Sequence, residues 1–251
     1  MKNKQRKIML CSCSVFSLLF TVDAKALESQ SYPSEAKVGL EPGNSTKPHE
    51  LITAIWAPTN NVGDLTLDAA TGFHFFELKI SSYEEGRLSY ALVAKKEING
   101  EKPIPSKHYT LGAQVTDVRG TGAGWTLSAK ITEFSSEKDD GRKLKGALFS
   151  IPVSDVYPDI YNRKYDSPPS SKAVSFPIPD TELPILVAEK DTGLGSWAVD
   201  FHSDSRGVPY MWEMHSNGNF YPSGGPSLYI PQGNLTGDYV AAITWSLRDA
   251  P

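Results

Sequence analysis

The sequence contains very little cysteine. Its two cysteines, Cys11 and Cys13, both lie within the first 26 residues. Because those residues have the pattern of a cleaved targeting segment, we expect no cysteine in the mature chain. This excludes disulfide bonds, thiol nucleophiles and thiolate metal sites there, so the core alone has to stabilise the fold.

The targeting segment is predicted at residues 1–26. The basic stretch MKNKQRK precedes the apolar stretch IMLCSCSVFSLLFTV, and Ala24 and Ala26 occupy the small-residue positions of an A-x-A cleavage site. The apolar stretch is short for a membrane span, so we expect a signal peptide cleaved after Ala26, with a retained anchor as the alternative. No later stretch is long and apolar enough to cross a bilayer. We therefore expect an exported protein without a membrane span after cleavage.

An excess of basic charge is lacking as well. The whole chain has 25 Lys and Arg residues against 29 Asp and Glu residues. Removing residues 1–26 takes away five basic residues and one acidic residue, which leaves 20 against 28 and a net charge of −8. A negative exterior argues against nucleic acid as a partner and against attraction to anionic polymers. Any bound surface is expected to be held by short-range contacts or bridging cations.

Long segments with the helical period of apolar residues are also missing. The composition is globular, with 39% hydrophobic and 22% charged residues. Short runs rich in β-branched and aromatic residues recur between Gly, Pro, Asn and Asp. They are LITAIWA, HFFELKI, LSYALVA, YTLGAQVTDV, WTLSAKI, GALFSIPV, PILVAEK, SWAVDF and YVAAITWSL. This pattern predicts an all-β fold, an antiparallel β-sandwich or barrel-like domain, at residues 49–251.

Three stretches interrupt the predicted strands. Residues 27–48 are expected to form a flexible lead-in after cleavage. The charged stretch SSEKDDGRKLKG, residues 135–146, is predicted to be the solvated tip of a hairpin. The stretch YPDIYNRKYDSPPSSK, residues 157–172, is expected to lie outside the sheet, because proline cannot serve a central strand.

Two of the strand-like runs carry a tryptophan and a leucine separated by one residue. Because side chains at positions i and i+2 of a strand share a face, each run delivers a Trp–Leu pair to one apolar face. The first face carries Trp125, Leu127, Ala129 and Ile131, and the second carries Tyr239, Ala241, Ile243, Trp245 and Leu247. The pattern leaves two interpretations open: both pairs belong to the core, or they form an aromatic platform for a ligand or partner.

The segments around these pairs resemble a known family. VTDVRGTGAGWTLSA and the terminal YVAAITWSLRDAP closely resemble the paired signature of the WxL-domain cell-surface proteins of low-GC Gram-positive bacteria. Between and before them, LGSWAVDF, SLYIPQGNLTGDY and GDLTLDAATGFHFFELKIS are similar to further segments of that family. The resemblance covers the chain from about residue 50 to residue 251, and its two long motifs stand in the family's order.

The resemblance implies an exported, non-enzymatic protein held non-covalently on the cell wall of a Gram-positive bacterium. Peptidoglycan is the implied partner, other secreted cell-surface proteins are possible partners, and no cofactor or metal is expected. Trp125, Leu127, Trp245 and Leu247 would form the wall-binding motif, with the two pairs on neighbouring strands. The four residues after Leu247 leave no room for a covalent sorting signal, which agrees with non-covalent attachment.

Further residues of the two signatures are expected to support the motif. Asp117 and Arg119 could pair across the turn in DVRGTGAG, and its glycines supply the backbone freedom of a tight loop that places Trp125. The supporting residues are Asp117, Arg119, Gly120, Gly122, Gly124, Tyr239 and Asp249.

Two alternatives to wall binding remain. One is a module that binds a partner surface protein and touches glycan only indirectly. The other is a wall-glycan enzyme using Asp200, His202, Glu213 and His215, although their spacing matches no zinc motif and the chain has no nucleophile elbow. A structural role is expected for these four residues. The aromatic stretch 203–225 is either a member-specific contact surface or a packed loop.

Overall fold

The structure is a computed structural model that describes residues 37–43, 46–52, 58–75, 78–79, 86–92, 111–138, 141–158, 167–177, 179–201, 211–214 and 220–250. The chain divides into two compact units, Met1–Gly39 and Leu40–Pro251, and every strand described below belongs to the second. The predicted signal peptide and residues 27–36 of the predicted lead-in lie outside the described residues.

The described residues form fifteen strands and no helix. In chain order the strands are β1 (Leu65–Ala70), β2 (His74–Phe75), β3 (Gly86–Leu92), β4 (Gly112–Asp117), β5 (Trp125–Ile131), β6 (Leu148–Ile151), β7 (Asp155–Pro158), β8 (Ser170–Ser171), β9 (Val174–Phe176), β10 (Leu183–Ala188), β11 (Gly195–Asp200), β12 (Met211–Met214), β13 (Phe220–Ser223), β14 (Ser227–Pro231) and β15 (Ile243–Asp249). Every pairing between them is antiparallel. The all-β, antiparallel prediction is therefore confirmed.

Three larger sheets and one hairpin hold these strands. The first sheet has the order β1-β4-β11-β7, the second β15-β5-β10-β8 and the third β2-β3-β14-β6-β9, while β12 and β13 pair with each other. A shared apolar core joins side chains of all three sheets, among them Val115 and Trp197 from the first, Trp125 and Leu127 from the second and Phe149 from the third. Sheets that bury their inner faces against one another in this way form a β-sandwich.

Strand β4 is buried on both faces, because the chain before β1 covers the face that points away from the core. The Gln114 side chain donates from Nε2 to the carbonyl oxygen of Glu50 at 2.9 Å. Beneath it, the buried Asp68 carboxylate accepts hydrogen bonds from Thr66, Gln114 and Thr116 at 2.7, 3.0 and 2.6 Å. The three donors compensate for removing this carboxylate from water. These hydrogen-bonded side chains therefore form a buried polar layer on the outer face of the first sheet.

The interruptions behave differently from one another. In the predicted hairpin at residues 135–146, the described arms pair antiparallel, with the Ser136 N–H donating to the Arg142 carbonyl at 2.8 Å, while residues 139–140 lie outside the described residues. The ends of the 157–172 stretch lie inside sheets, since β7 includes Tyr157 and Pro158 and β8 consists of Ser170–Ser171. The expectation that this stretch lies outside the sheet is wrong at those ends. Both are edge strands, where proline is tolerated, and residues 159–166 lie outside the described residues.

Candidate functional site

The two Trp–Leu pairs meet on neighbouring strands. Strand β15 pairs with β5 so that Leu247 lies opposite Leu127 and Trp245 lies opposite Ala129. Two segments more than a hundred residues apart along the chain are thus neighbours in one sheet, as predicted. Both pairs face the same side of the second sheet, which is the side toward the shared core.

The pair on β5 is fully buried. Trp125 and Leu127 have no solvent-exposed surface. The indole Nε1 of Trp125 donates a hydrogen bond of 3.0 Å to the carbonyl oxygen of Gly193, so its single polar atom is satisfied. Trp125 and Leu127 are core residues in this structure, and any part they play in binding acts through the fold.

The pair on β15 is only half-buried. Among the described residues, β15 is the edge of its sheet and pairs on one side with β5. Trp245 stacks against Phe201 with ring centroids 6.2 Å apart and an interplanar angle of 9°. Thr244 and Arg248 point to the opposite side and are exposed. Of the two pairs, the Trp245–Leu247 pair is therefore the one that a ligand can contact.

Arg119 ties the chain around both Trp–Leu strands together. Its guanidinium donates from Nε and Nη2 to the two oxygens of Asp117 at 2.9 and 2.8 Å, and from Nη2 to the carbonyl oxygen of Gly124 at 2.8 Å. Its Nη1 donates to Asp249, near the end of β15. The predicted Asp117–Arg119 pair is confirmed, and the carboxylate of Asp117 is completely buried.

This network also sets the charge state of Arg119. The hydrogen bond to Asp117 raises the pKa of the guanidinium above its ordinary value, partial burial lowers the pKa and Asp249 raises it further. Arg119 stays cationic at every pH at which the protein folds, so the link between the loop, β4 and β15 does not titrate on the arginine side.

The glycine loop before Trp125 is tightly built. Gly120, Gly122 and Gly124 all have positive φ angles, of 68°, 66° and 79°, as a loop of this type requires. A Cβ atom added at Gly124 would lie 2.3 Å from the Ala188 carbonyl oxygen, whereas one added at Gly120 would meet nothing within 4 Å. Gly124 therefore permits the close approach of the loop to the end of β10, which fixes the start of β5.

A cavity of about 750 Å³ opens beside the half-buried Trp–Leu pair. One part of its wall is the inner face of β15 and the chain before it, which contributes Tyr239, Ala241, Ile243 and Trp245. Another part is formed by aromatic side chains, including Phe73, Phe75 and Phe149. Phe73 and Phe149 have centroids 4.9 Å apart, and Phe75 meets Phe149 edge-on at 5.9 Å. The cavity therefore has an aromatic floor.

Residues 231–240 form the rim of this cavity, and we call them the rim segment. The Asn234 side chain accepts from the Lys145 N–H at 2.8 Å and donates to the Lys145 carbonyl at 3.0 Å. Val240 exchanges two backbone hydrogen bonds with Ser135, of 2.8 and 2.9 Å. The hydroxyl of Tyr239 donates to the Leu235 carbonyl at 2.9 Å. The rim segment is thus held to the 135–146 hairpin by bonds that do not depend on a ligand.

The candidate catalytic residues are not assembled into a described site. Asp200 is half-buried in β11. His202 and His215 lie outside the described residues, as does the side chain of Glu213 and most of the aromatic stretch 203–225. Within the described part of the chain, no group of three or more His, Cys, Asp or Glu side chains could hold a metal ion. That part also contains no helix with the length and hydropathy needed to cross a membrane.

Several residues that position the site were missed from the sequence. They are Gly193, whose carbonyl accepts the Trp125 indole, Phe201, which stacks on Trp245, and the phenylalanines of the cavity floor. Gly193 follows a turn with Asp191 at a φ of 62°, and the DTG triplet was the signal for that turn. The aromatic contacts had no local signal, because their partners come from distant strands.

The chain was compared with protein-family models, curated proteins and solved structures. A family model described as "WxL domain surface cell wall-binding" matches residues 27–251, which is most of the chain. No curated protein and no solved structure matches. Because the match includes residues 27–48, the start of the folded domain at residue 49 stays a prediction.

Proposed function

The chain belongs to the WxL family of surface cell-wall-binding domains, and from this premise we propose that it binds peptidoglycan directly and non-covalently after export from a Gram-positive cell. Binding to the cell wall at the cell surface is the role of the family. The finer proposal names the wall polymer, the absence of a covalent link and the export route. It also holds that the protein binds the wall without cleaving it.

The observation that carries this proposal is the meeting of the two Trp–Leu pairs on β5 and β15. One pair is buried and the other lies half-exposed beside a large aromatic cavity. An aromatic side chain with one covered face and one accessible edge or face is a frequent anchor in recognition surfaces. With a mature net charge of −8, such short-range contacts are a better means of attachment to an anionic wall than long-range attraction.

Co-sedimentation tests the proposal. The mature chain, residues 27–251, would be mixed with Gram-positive peptidoglycan stripped of protein and teichoic acid, and the pelleted fraction measured against concentration. Saturable pelleting supports direct binding. If the folded chain stays in the supernatant with stripped peptidoglycan, the proposal is wrong.

A second arm separates the two alternatives from direct binding. If the chain pellets only with walls that keep their proteins, it is a module for a partner surface protein. If soluble sugar fragments are released from stripped peptidoglycan by the wild type and not by His202→Ala, the protein is a wall-glycan enzyme. A bound chain without fragment release supports the non-catalytic role.

A further inference from the structure

We propose that the cavity beside Trp245 binds a short stretch of glycan, one or two sugar rings that carry N-acetyl and carboxylate substituents. The inference rests on the proposed function and specifies which part of the wall polymer the protein recognises. It is argued from the size of the cavity, the chemistry of its floor and rim, and the rigidity of its frame.

The size of the cavity is that of a ligand-binding site. Interiors of folded proteins contain few gaps larger than a water molecule, and ligand pockets have volumes of about 300–1,000 Å³. A cavity of about 750 Å³ belongs to the second class. A cavity of this volume has room for a ligand of one or two sugar rings.

The floor of the cavity favours apolar contacts with the ligand, and the rim favours hydrogen bonds with it. Phe73, Phe75 and Trp245 offer apolar ring surfaces, which suit the C–H faces of a sugar or a methyl group. At the rim, Gln232 and Thr236 are exposed, and within the described residues their side chains make no hydrogen bond. An amide and a hydroxyl at this position can pair with sugar hydroxyls and with an acetamido group. A sugar ring has this combination of apolar faces and polar edges.

The charge of the lining favours a carboxylate on the ligand. The described lining residues that carry a full charge at neutral pH are Lys79, Arg87 and Asp238. Asp238 is ion-paired with Lys138, whose Nζ lies 2.6 Å from the carboxylate. With two basic residues and one acidic residue, this lining has a positive formal charge, the reverse of the overall charge of the mature chain.

The backbone of the rim segment argues against strand addition by an extended peptide at the rim. Peptides are commonly recognised by adding a strand to a free sheet edge, where main-chain groups pair with the ligand. The rim segment is instead held to the hairpin, by Val240 with Ser135 and by Asn234 with Lys145. What the described rim offers a ligand is side chains. A frame fixed before binding also lowers the entropy that a ligand has to overcome.

The test uses two soluble probes and two matched variants. The probes are the disaccharide N-acetylglucosamine–N-acetylmuramic acid and the free stem pentapeptide. Ala241→Phe fills the cavity, because Ala241 lines it, whereas Ala242→Phe adds the same side chain at an exposed neighbouring position outside the cavity lining. The indole N–H signals of Trp245 and Trp125 are followed by NMR, each assigned by its Trp→Phe variant.

We expect the disaccharide to shift the Trp245 indole signal saturably in the wild type and in Ala242→Phe. The Trp125 signal should not move, because that indole is buried and bonded to Gly193. Ala241→Phe should weaken binding by at least about tenfold. Since Ala241→Phe could also disturb packing, the exposed rim double variant Gln232→Ala/Thr236→Ala is measured beside it and should weaken binding as well.

Three outcomes would overturn the cavity proposal without contradicting the proposed peptidoglycan binding. If the disaccharide does not bind while the chain still pellets with stripped peptidoglycan, the wall is bound elsewhere. If the pentapeptide shifts the Trp245 signal and the disaccharide does not, the cavity takes the peptide portion. If binding is unchanged in Ala241→Phe and in the rim variant, the cavity is not the site. Failure of the chain to pellet at all contradicts the proposed function itself.

Discussion

The Trp125–Leu127 pair and the Trp245–Leu247 pair have the same spacing and face the same side of the same sheet, but their surroundings differ. Strand β5 has β10 on one side and β15 on the other, whereas among the described residues β15 has only β5. The first pair is fully buried and the second is half-exposed. The same motif therefore has two different degrees of burial, according to whether its strand is central or at an edge.

The two copies also contribute differently to the structure. The buried pair contributes the packing that fixes the second sheet, and the Trp125 indole bonds to the Gly193 carbonyl beyond β10. The half-exposed pair is positioned on that sheet by seven paired residues, from Ile243 opposite Ile131 to Asp249 opposite Trp125. The first copy makes the surface rigid, and the second copy is available to a ligand.

The largest expected effect is the loss of stability in Trp125→Ala. Removing a fully buried tryptophan costs about 3–5 kcal/mol of unfolding free energy, and the Gly193 carbonyl loses its donor as well. Trp245→Ala should cost clearly less, because Trp245 is half-exposed at an edge. Urea unfolding followed by circular dichroism measures both. Equal losses would contradict the division between a core copy and a surface copy.

Gly124→Ala is the next largest. Left-handed backbone costs a residue with a Cβ atom about 1–2 kcal/mol, and overpacking adds about 1–3 kcal/mol where the new atom meets the Ala188 carbonyl. Gly120→Ala is the matched control, since its φ is similar and its Cβ would meet nothing. In thermal unfolding, the melting temperature of Gly124→Ala should be well below that of Gly120→Ala. The same melting temperature for both would show that the loop does not press on the end of β10.

Arg119→Ala should have an intermediate effect. It leaves the buried Asp117 carboxylate without its ion pair and with the backbone N–H of residue 119 as a remaining donor, which costs about 1–3 kcal/mol. The control is Arg248→Ala on β15, because the ion pair of Arg248 with Glu182 lies at the surface and contributes at most about 1 kcal/mol. Urea unfolding of the two variants gives the difference. A loss no larger in Arg119→Ala than in Arg248→Ala would mean that the link between the loop and β15 is dispensable.

Local pattern predicted the parts of the fold that depend on neighbouring residues. The run WTLSAKI coincides with β5, Trp125–Ile131, and its alternation places Trp125, Leu127, Ala129 and Ile131 on the buried face. The Asp117–Arg119 pair was also predictable, because a turn brings residues two apart within reach. These features follow from side-chain alternation and turn geometry, which act over a few residues.

The remainder depends on contacts between distant parts of the chain. The stacking of Phe201 on Trp245 and the cavity floor of Phe73, Phe75 and Phe149 arise only when three sheets come together. The burial of the first Trp–Leu pair and the exposure of the second follow from strand order. Identical local patterns cannot encode that order, so the sequence left the core and surface interpretations open for both pairs.

The most direct test of the account is the affinity of three folded proteins for stripped peptidoglycan: the wild type, Trp245→Ala and Trp125→Phe. Trp125→Phe keeps an aromatic ring in the core and removes only the buried indole, so it is the control for the buried copy. The account predicts that Trp245→Ala keeps a native circular dichroism spectrum and loses at least about tenfold in affinity, while folded Trp125→Phe binds like the wild type. Wild-type affinity in folded Trp245→Ala would contradict the claim that the half-exposed copy meets the wall.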